Sequence, residues 1–375
     1  MVIFQAGRPG PERRVAEPSF SGRICGDLIR PVGKFYKELT FVGQISISPP
    51  FYNVSMIAMN VAAAGHHHHA THLQPNQPLA TESVEVGSEQ AEVYRDLVDR
   101  AIEAREHAYA PNSGSMVGSA VLTRSGKVYK GANFETTDYA DHGEQVALAR
   151  ALAAGEKPGD LVACATFVAK EGGPTPEDYL NQANKTSCGN CRQAIFELNP
   201  EMDQILLGPD GRSVEVYRTS DMLPQAYRRE REILPNPEPP KESHSDPLIA
   251  QAMIARSRSY VPRSNEPVGA AVETASGHIY TGIRMETSSF STQAERMALG
   301  EAMMNGEDEI KRLVLVGGRS DQGEIPDRIT WDSFQAIASV SPDAQVTLPD
   351  EKGGFVTLPV AQVPGFLLTY QPSRP

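Results

Sequence analysis

Slid by 151 residues, this chain lies on itself. Leu97–Glu156 aligns with Leu248–Glu307 without a gap, and 24 of the 60 positions are identical. A period this long marks a duplicated domain, since solenoid units repeat every ~20–50 residues. Within the repeat, Tyr109-Ala-Pro-Asn-Ser113 faces Tyr260-Val-Pro-Arg-Ser264, and Val117-Gly-Ser-Ala-Val121 faces Val268-Gly-Ala-Ala-Val272. Gly131 faces Gly282. Whatever fold the first copy adopts, the second must share it.

The copies differ where chemistry is concentrated. The first carries His142-Gly143-Glu144, followed 44 residues after the glutamate by Cys188-Gly189-Asn190-Cys191. One imidazole and two thiolates are good zinc ligands, and a catalytic zinc keeps its fourth position open for water. Glu144 is spaced to move protons beside that water, and His-x-Glu with Cys-x-x-Cys is the pattern of zinc nucleobase deaminases. In the second copy His142 corresponds to Gln293, while Glu144 is kept as Glu295. Laying Arg192-Gln-Ala-Ile195 on Phe334-Gln-Ala-Ile337 sets Cys188 on Thr330 and Cys191 on Ser333. The second copy is therefore expected to be metal-free. Without ligands, Glu295 reads as a helix-start carboxylate. A structural zinc would need a fourth protein ligand, and a redox pair would leave His142 and Glu144 unexplained.

Composition bounds the partners. The 375 residues exceed what one core usually holds, about 250–300, and the net charge is -12. That charge argues against a nucleic acid, whose binding needs clustered Lys and Arg, and favours a small substrate. Four cysteines, two assigned to metal, leave Cys25 and Cys164 without a disulfide framework. Cys164 falls in the apolar run Leu161–Val168 and is expected to be a buried strand thiol. No stretch of ~18 apolar residues is present to span a membrane, and Met1–Arg14 lacks an apolar signal core. A cytoplasmic protein is expected.

Residues 1–88 read as a partly disordered N-terminal extension. Ser21–Tyr52 mixes short apolar runs with Gly and Pro, and Ala62–Ser88 has linker composition. The tract His66–His69 reads as a solvated segment, and Met56 and Met59 leave a downstream start open. Residues 89–227 form the catalytic domain, 228–243 a proline-rich linker and 244–375 the degenerate copy. Val93, Leu97, Val98, Ala101 and Ile102 predict a helix from about Glu89. Val117–Leu122 and Lys127–Lys130 predict paired strands around Ser125-Gly126. A helix is expected from near Asp141 to Ala154, a strand at Leu161–Val168, a helix at about Cys188–Leu198 and a strand at Gln204–Leu207. Both ligand groups then sit at helix starts, where unpaired N–H groups favour thiolates. Trp331 is expected in the core, and His107 and His278 at the surface. The alternation of elements is that of an α/β layered domain, present twice.

In order and context these motifs resemble cytidine deaminase, particularly its two-domain form, from about Glu89 to Phe366. The resemblance implies a three-layer α/β/α domain with a mixed five-stranded sheet in each copy. It implies Zn2+ held by His142, Cys188 and Cys191, with Glu144 as the catalytic proton carrier. Gly131-Ala-Asn133-Phe-Glu135 matches the family's ribose-binding stretch, which implies that Asn133 and Glu135 hold sugar hydroxyls. A cytosine nucleoside substrate, a role in pyrimidine salvage and a homodimer follow from the same resemblance. In that homodimer the decayed half is expected to support folding and close the partner's active site. Gly143 stands where alanine is usual and Ser187 where proline is usual. Gly114-Ser115-Met116 occupies the place of an aromatic that packs on the nucleoside, and Lys170–Thr186 is an insertion beside Cys188. A modified or antibiotic cytosine nucleoside is therefore an alternative substrate, and a non-catalytic nucleoside-binding protein an alternative class.

Overall fold

A two-residue strand, β1 (Glu82–Ser83), precedes the first helix, α1 (Glu89–Arg105). The Ser88 hydroxyl caps α1 by accepting from the Ala91 amide at 3.2 Å, and Glu89 and Glu92 occupy its positive end. The helix ends before Pro111, as expected. This computed structural model describes residues 82–83, 88–136, 139–182, 186–208, 210–227, 235–239, 244–320, 323–325 and 331–364. The readings for residues 1–81, including Cys25 and the His66–His69 tract, lie outside the described residues, as does most of the 228–243 linker.

Strands β2 (Ser115–Thr123) and β3 (Val128–Ala132) pair antiparallel about the Ser125-Gly126 turn. A small hairpin follows, β4 (Phe134–Glu135) with β5 (Ala140–Asp141), and leads into α2 (Gly143–Ala153). The chain continues through β6 (Leu161–Lys170), α3 (Pro176–Leu180) and α4 (Gly189–Leu198). It closes the copy with β7 (Asp203–Leu207), β8 (Val214–Arg218) and α5 (Thr219–Met222). The sheet order is β1-β8-β7-β6-β2-β3, with β6 and β7 parallel and the other pairs antiparallel. Five strands form the expected mixed sheet. The sixth, β1, comes from residues read as linker, and pairs Glu82 with Val216 at the edge.

Period-2 alternation sorts this sheet into three layers. Ala120, Ala163, Ala165 and Phe167 pack with Leu97, Val98 and Ala101 of α1. Val121 and Cys164 point the other way, into a cluster with Val146 and Leu148 of α2 and Ile195 of α4. Cys164 is the buried strand thiol expected of it, and burial pushes its pKa up.

The second copy repeats the plan: α6 (Pro247–Ser257), β9 (Val268–Thr274), β10 (Ile279–Ile283), β11 (Met285–Glu286), β12 (Ser291–Thr292) and α7 (Ala294–Met304). Then come β13 (Ile310–Gly317), α8 (Trp331–Val340), β14 (Gln345–Pro349) and β15 (Phe355–Pro359). Its five-stranded sheet runs β10-β9-β13-β14-β15. From β3 through α2 every boundary recurs 151 residues later, in β10 through α7. Helices α4 and α8 likewise match end to end, which supports setting Cys191 on Ser333. Between strand and helix the first copy has residues 171–188 and the second 318–330, so the first carries the longer connection.

The two copies share their interior. Ala255, Ile283, Met285, Phe290 and Met297 of the second join the α2–α4 cluster of the first, and Phe134 of the first enters the core of the second. Ser288 donates its amide to both Glu197 carboxylate oxygens at 3.0 Å, and the Ser289 hydroxyl donates to the Asn190 carbonyl at 3.0 Å. No described helix is long and apolar enough to cross a membrane.

Candidate active site

His142 and Cys188 are the N-cap residues of α2 and α4, both with extended backbone. Cys191 lies in the first turn of α4 and is fully buried. Each cysteine sulfur is 3.4 Å from His142 Nδ1, and the three candidate ligand atoms lie within 4.8 Å of one another. Tetrahedral zinc with Zn–S of ~2.3 Å and Zn–N of ~2.0–2.1 Å separates nitrogen from sulfur by about 3.6 Å. The donor set and spacing therefore fit zinc. Gln145, three residues into α2, accepts from the His142 amide at 3.1 Å and fixes the imidazole's point of attachment.

The two thiols differ before any metal is considered. Cys188 is held down to about 3, first by the Cys191 thiol that hydrogen-bonds to it and also by His142. Cys191 is correspondingly pushed up, by that shared proton and by burial. Metal binding removes the remaining proton.

His142 and Cys188 line a cavity of about 260 Å³. Glu144 reaches it from the first turn of α2, although only 3 % of the residue is exposed. Burial pushes its carboxyl above the usual carboxylate range, opposed by its own backbone amide, by His142 and by Ser187. Val117, Thr166 and Val168 bring the central strands to the cavity wall, and Thr186 brings the end of the insertion.

Asn133 and Glu135 also line the cavity. Both already serve the fold. Asn133 Oδ1 accepts from the Val117 amide at 2.8 Å, and its Nδ2 donates to the Ser115 carbonyl at 2.9 Å. Glu135 Oε2 accepts the amides of Asn112 and Ser113 at 3.1 Å, and its Oε1 accepts the Ser113 hydroxyl at 2.6 Å. A carboxylate oxygen has a second lone pair and an amide nitrogen a second hydrogen. Each side chain thus keeps capacity for a ligand.

Ser113 and Thr166 were missed from sequence. Ser113 is one of the identical positions of the repeat, and Thr166 is a polar residue inside an apolar strand; either was an available signal. Ser115 faces the cavity, and together with Val168 it also borders a second cavity of about 590 Å³ walled by residues 168–181.

The family described as "Cytidine and deoxycytidylate deaminase zinc-binding region" matches residues 59–176 and 217–324. The chain belongs to the cytidine deaminase family. A cytidine deaminase from Halalkalibacterium halodurans is 36% identical over 136 residues, covering 36% of this chain and 93% of its own. The cytidine deaminase of Salmonella arizonae is 30% identical over 233 residues, covering 59% of this chain and 70% of its own. The crystal structure of cytidine deaminase from Burkholderia pseudomallei is 38% identical over 35% of this chain and 97% of its own, with a TM-score of 0.30. This cytidine deaminase-like hydrolase has its candidate zinc site, His142, Cys188 and Cys191, in the first copy. In the second, Glu295 is buried at the start of α7 and Gln293 is its N-cap. Trp331 begins α8, and its side chain lies outside the described residues. His278 sits on the surface beside Ser276 and Glu307.

Proposed function

We propose that this chain deaminates cytidine or deoxycytidine by zinc-dependent hydrolysis, giving uridine or deoxyuridine and ammonia. The observation that carries this is one buried carboxyl, Glu144, lining a cavity together with His142 and Cys188, two members of a His/Cys/Cys cluster of zinc-ligand spacing. Zinc, held by His142, Cys188 and Cys191, supplies Lewis acidity that makes water reactive near neutral pH. Glu144 takes a proton from the attacking water and passes it to the ring nitrogen. It then takes the second proton from the hydroxyl so formed and gives it to the amine, which leaves as ammonia while the carbon becomes a carbonyl. A carboxyl raised by burial suits both directions of that transfer. Asn133 and Glu135 hold the sugar hydroxyls with their spare donor and acceptor capacity. The thiolates keep best in the cytoplasm, the compartment this reading assigns. As the resemblance implies, the chain forms a homodimer, which light scattering would report as twice the chain mass.

A larger, modified cytosine nucleoside is the second reading, favoured by the cavity that adjoins the site at Ser115 and Val168. Ammonia release from a panel of cytosine and adenine nucleosides, with Glu144→Gln alongside, tests both. Release from cytidine, reduced at least ~100-fold in the variant while zinc is retained, is expected. Release only from a modified nucleoside selects the second reading. Silence with zinc bound overturns both.

A further inference from the structure

We propose that Arg296, contributed by the degenerate copy, is a positioning residue for the nucleoside site of the first. The inference rests on the functional reading above and names a residue outside the cavity. Arg296 is 1 % exposed and projects from α7 into the first copy. Its Nε donates to Asp141 Oδ2 at 2.5 Å, its Nη1 to the Thr136 hydroxyl at 3.0 Å and its Nη2 to the Phe134 carbonyl at 3.3 Å. The guanidinium carbon lies 4.9 Å from the Tyr139 ring centre and 5.3 Å from that of Phe134.

These four partners, Phe134, Thr136, Tyr139 and Asp141, are the frame of the β4–β5 hairpin. The hairpin presents Glu135 and Ala140 to the cavity and runs directly into His142. Its two strands pair over only two residues each, too few to hold themselves. One planar fork of donors, already rigid, can fix a strand carbonyl, a hydroxyl and a carboxylate together. Among the described residues no other side chain hydrogen-bonds Asp141.

The repeat shows why this residue is an arginine. Arg296 occupies the place that Gln145 holds in the first copy. Gln145 braces its own helix start through the His142 amide. Arg296, following no metal ligand, reaches instead across to the active copy. The degenerate copy also grips the second ligand-bearing helix, through Ser288 on Glu197 and Ser289 on Asn190. Because α2 is anchored separately by the shared core, loosening the hairpin should weaken nucleoside binding more than turnover.

The zinc-loaded full chain tests this in three variants. Asp141→Asn/Arg296→Met removes both buried charges together, so no lone charge is left inside. Arg296→Lys keeps the charge and loses the fork, and carries the test if the double variant does not fold. Arg312→Ala breaks an ion pair on the other side of the degenerate copy and controls for general destabilisation. In the double variant, KM for cytidine should rise tenfold or more with kcat changed less than threefold. Amide exchange over 134–141 should accelerate, and Arg296→Lys should fall between it and wild type in both. Wild-type KM and exchange in both Arg296 variants, or equal shifts in Arg312→Ala, would overturn the proposal. If wild type turns over no cytosine nucleoside, the functional reading fails while the exchange measurement still decides this inference.

Discussion

Glu135 and Glu286 make the same three hydrogen bonds, one in each copy. Glu286 accepts the amides of Arg263 and Ser264 at 3.2 and 2.9 Å and the Ser264 hydroxyl at 2.8 Å. A copy that lacks the candidate ligands still keeps this network, so the network belongs to the fold, and the sugar binding proposed for Glu135 would be an addition to it. Glu135→Gln should raise KM for cytidine about tenfold, the cost of roughly one charge-assisted hydrogen bond. Glu286→Gln should move only the melting temperature. Steady-state kinetics beside thermal melts separates the two. Asp246 gives a prediction in pH. It caps α6 through the Leu248 amide and pairs with Arg312 at 2.7 and 2.8 Å. The Arg312 hydrogen bond holds its carboxyl below the ordinary value. Its contribution is therefore complete above the unfolded pKa of ~3.9 and is lost as pH falls through the lower folded value. Asp246→Ala should cost about 1–2 kcal/mol at pH 7 and progressively less in acid, as denaturant titrations at several pH values would show. The candidate ligand cluster and the Glu144 carboxyl beside it were legible in the sequence because side-chain type and spacing carry that chemistry. Arg296 was not, since its partners lie about 155 residues away in the chain and arginine at a helix start has no local signature.

Helices and strands sit close enough at several crossings that only glycine fits, and two of these seat the helices α2 and α7. A Cβ on Gly131 would lie 2.3 Å from the Ala147 nitrogen and 2.4 Å from the Gly143 carbonyl, in the first turns of α2. Its counterpart Gly282 meets Ala294 and Ala298 of α7 in the same way, at 2.1 and 2.4 Å. Gly131→Ala must push α2 off the sheet, and with it His142 and Glu144. A loss of about 1–3 kcal/mol is expected, with lower zinc content after dialysis; Gly282→Ala should lose comparable stability and keep its zinc better. The long elements were readable from periodicity, and β2, α2, β6 and α4 fall within a few residues of expectation. The missed ones in the first copy, β1, β4, β5, α3, β8 and α5, are short. Short strands such as β1, at the sheet edge, and β8 beside it draw their stability from the neighbours they pair with, which no local pattern reports. Inside the insertion, α3 is held by Thr175 and Asp178 capping each other's backbone, a signal smaller than the glycines and proline around it.

Two sheets with one interior should melt as one. Residues of both copies contribute to the same buried clusters, so a single cooperative transition is expected by calorimetry; two separated transitions would mean that the copies are independent. Stripping zinc with a chelator should lower that single transition and abolish turnover, with zinc restoring both. At a hundredfold excess of metal over its Kd the difference is about 2.7 kcal/mol. Duplication and degeneracy were visible in the alignment of the sequence on itself, but the direction in which the degenerate copy works was not. The contacts that run within one chain from Arg296, Ser288 and Ser289 to the copy beside it join residues about 90 to 155 positions apart, and they leave the expected closing of a partner's site untouched. Because both sides of the Asp141–Arg296 contact belong to one polypeptide, its strength depends on an effective concentration set by the chain, not on protein concentration. Dilution cannot open it. This brace on the β4–β5 hairpin is thus as firm in a cell that makes a few molecules of the chain as in one that makes many.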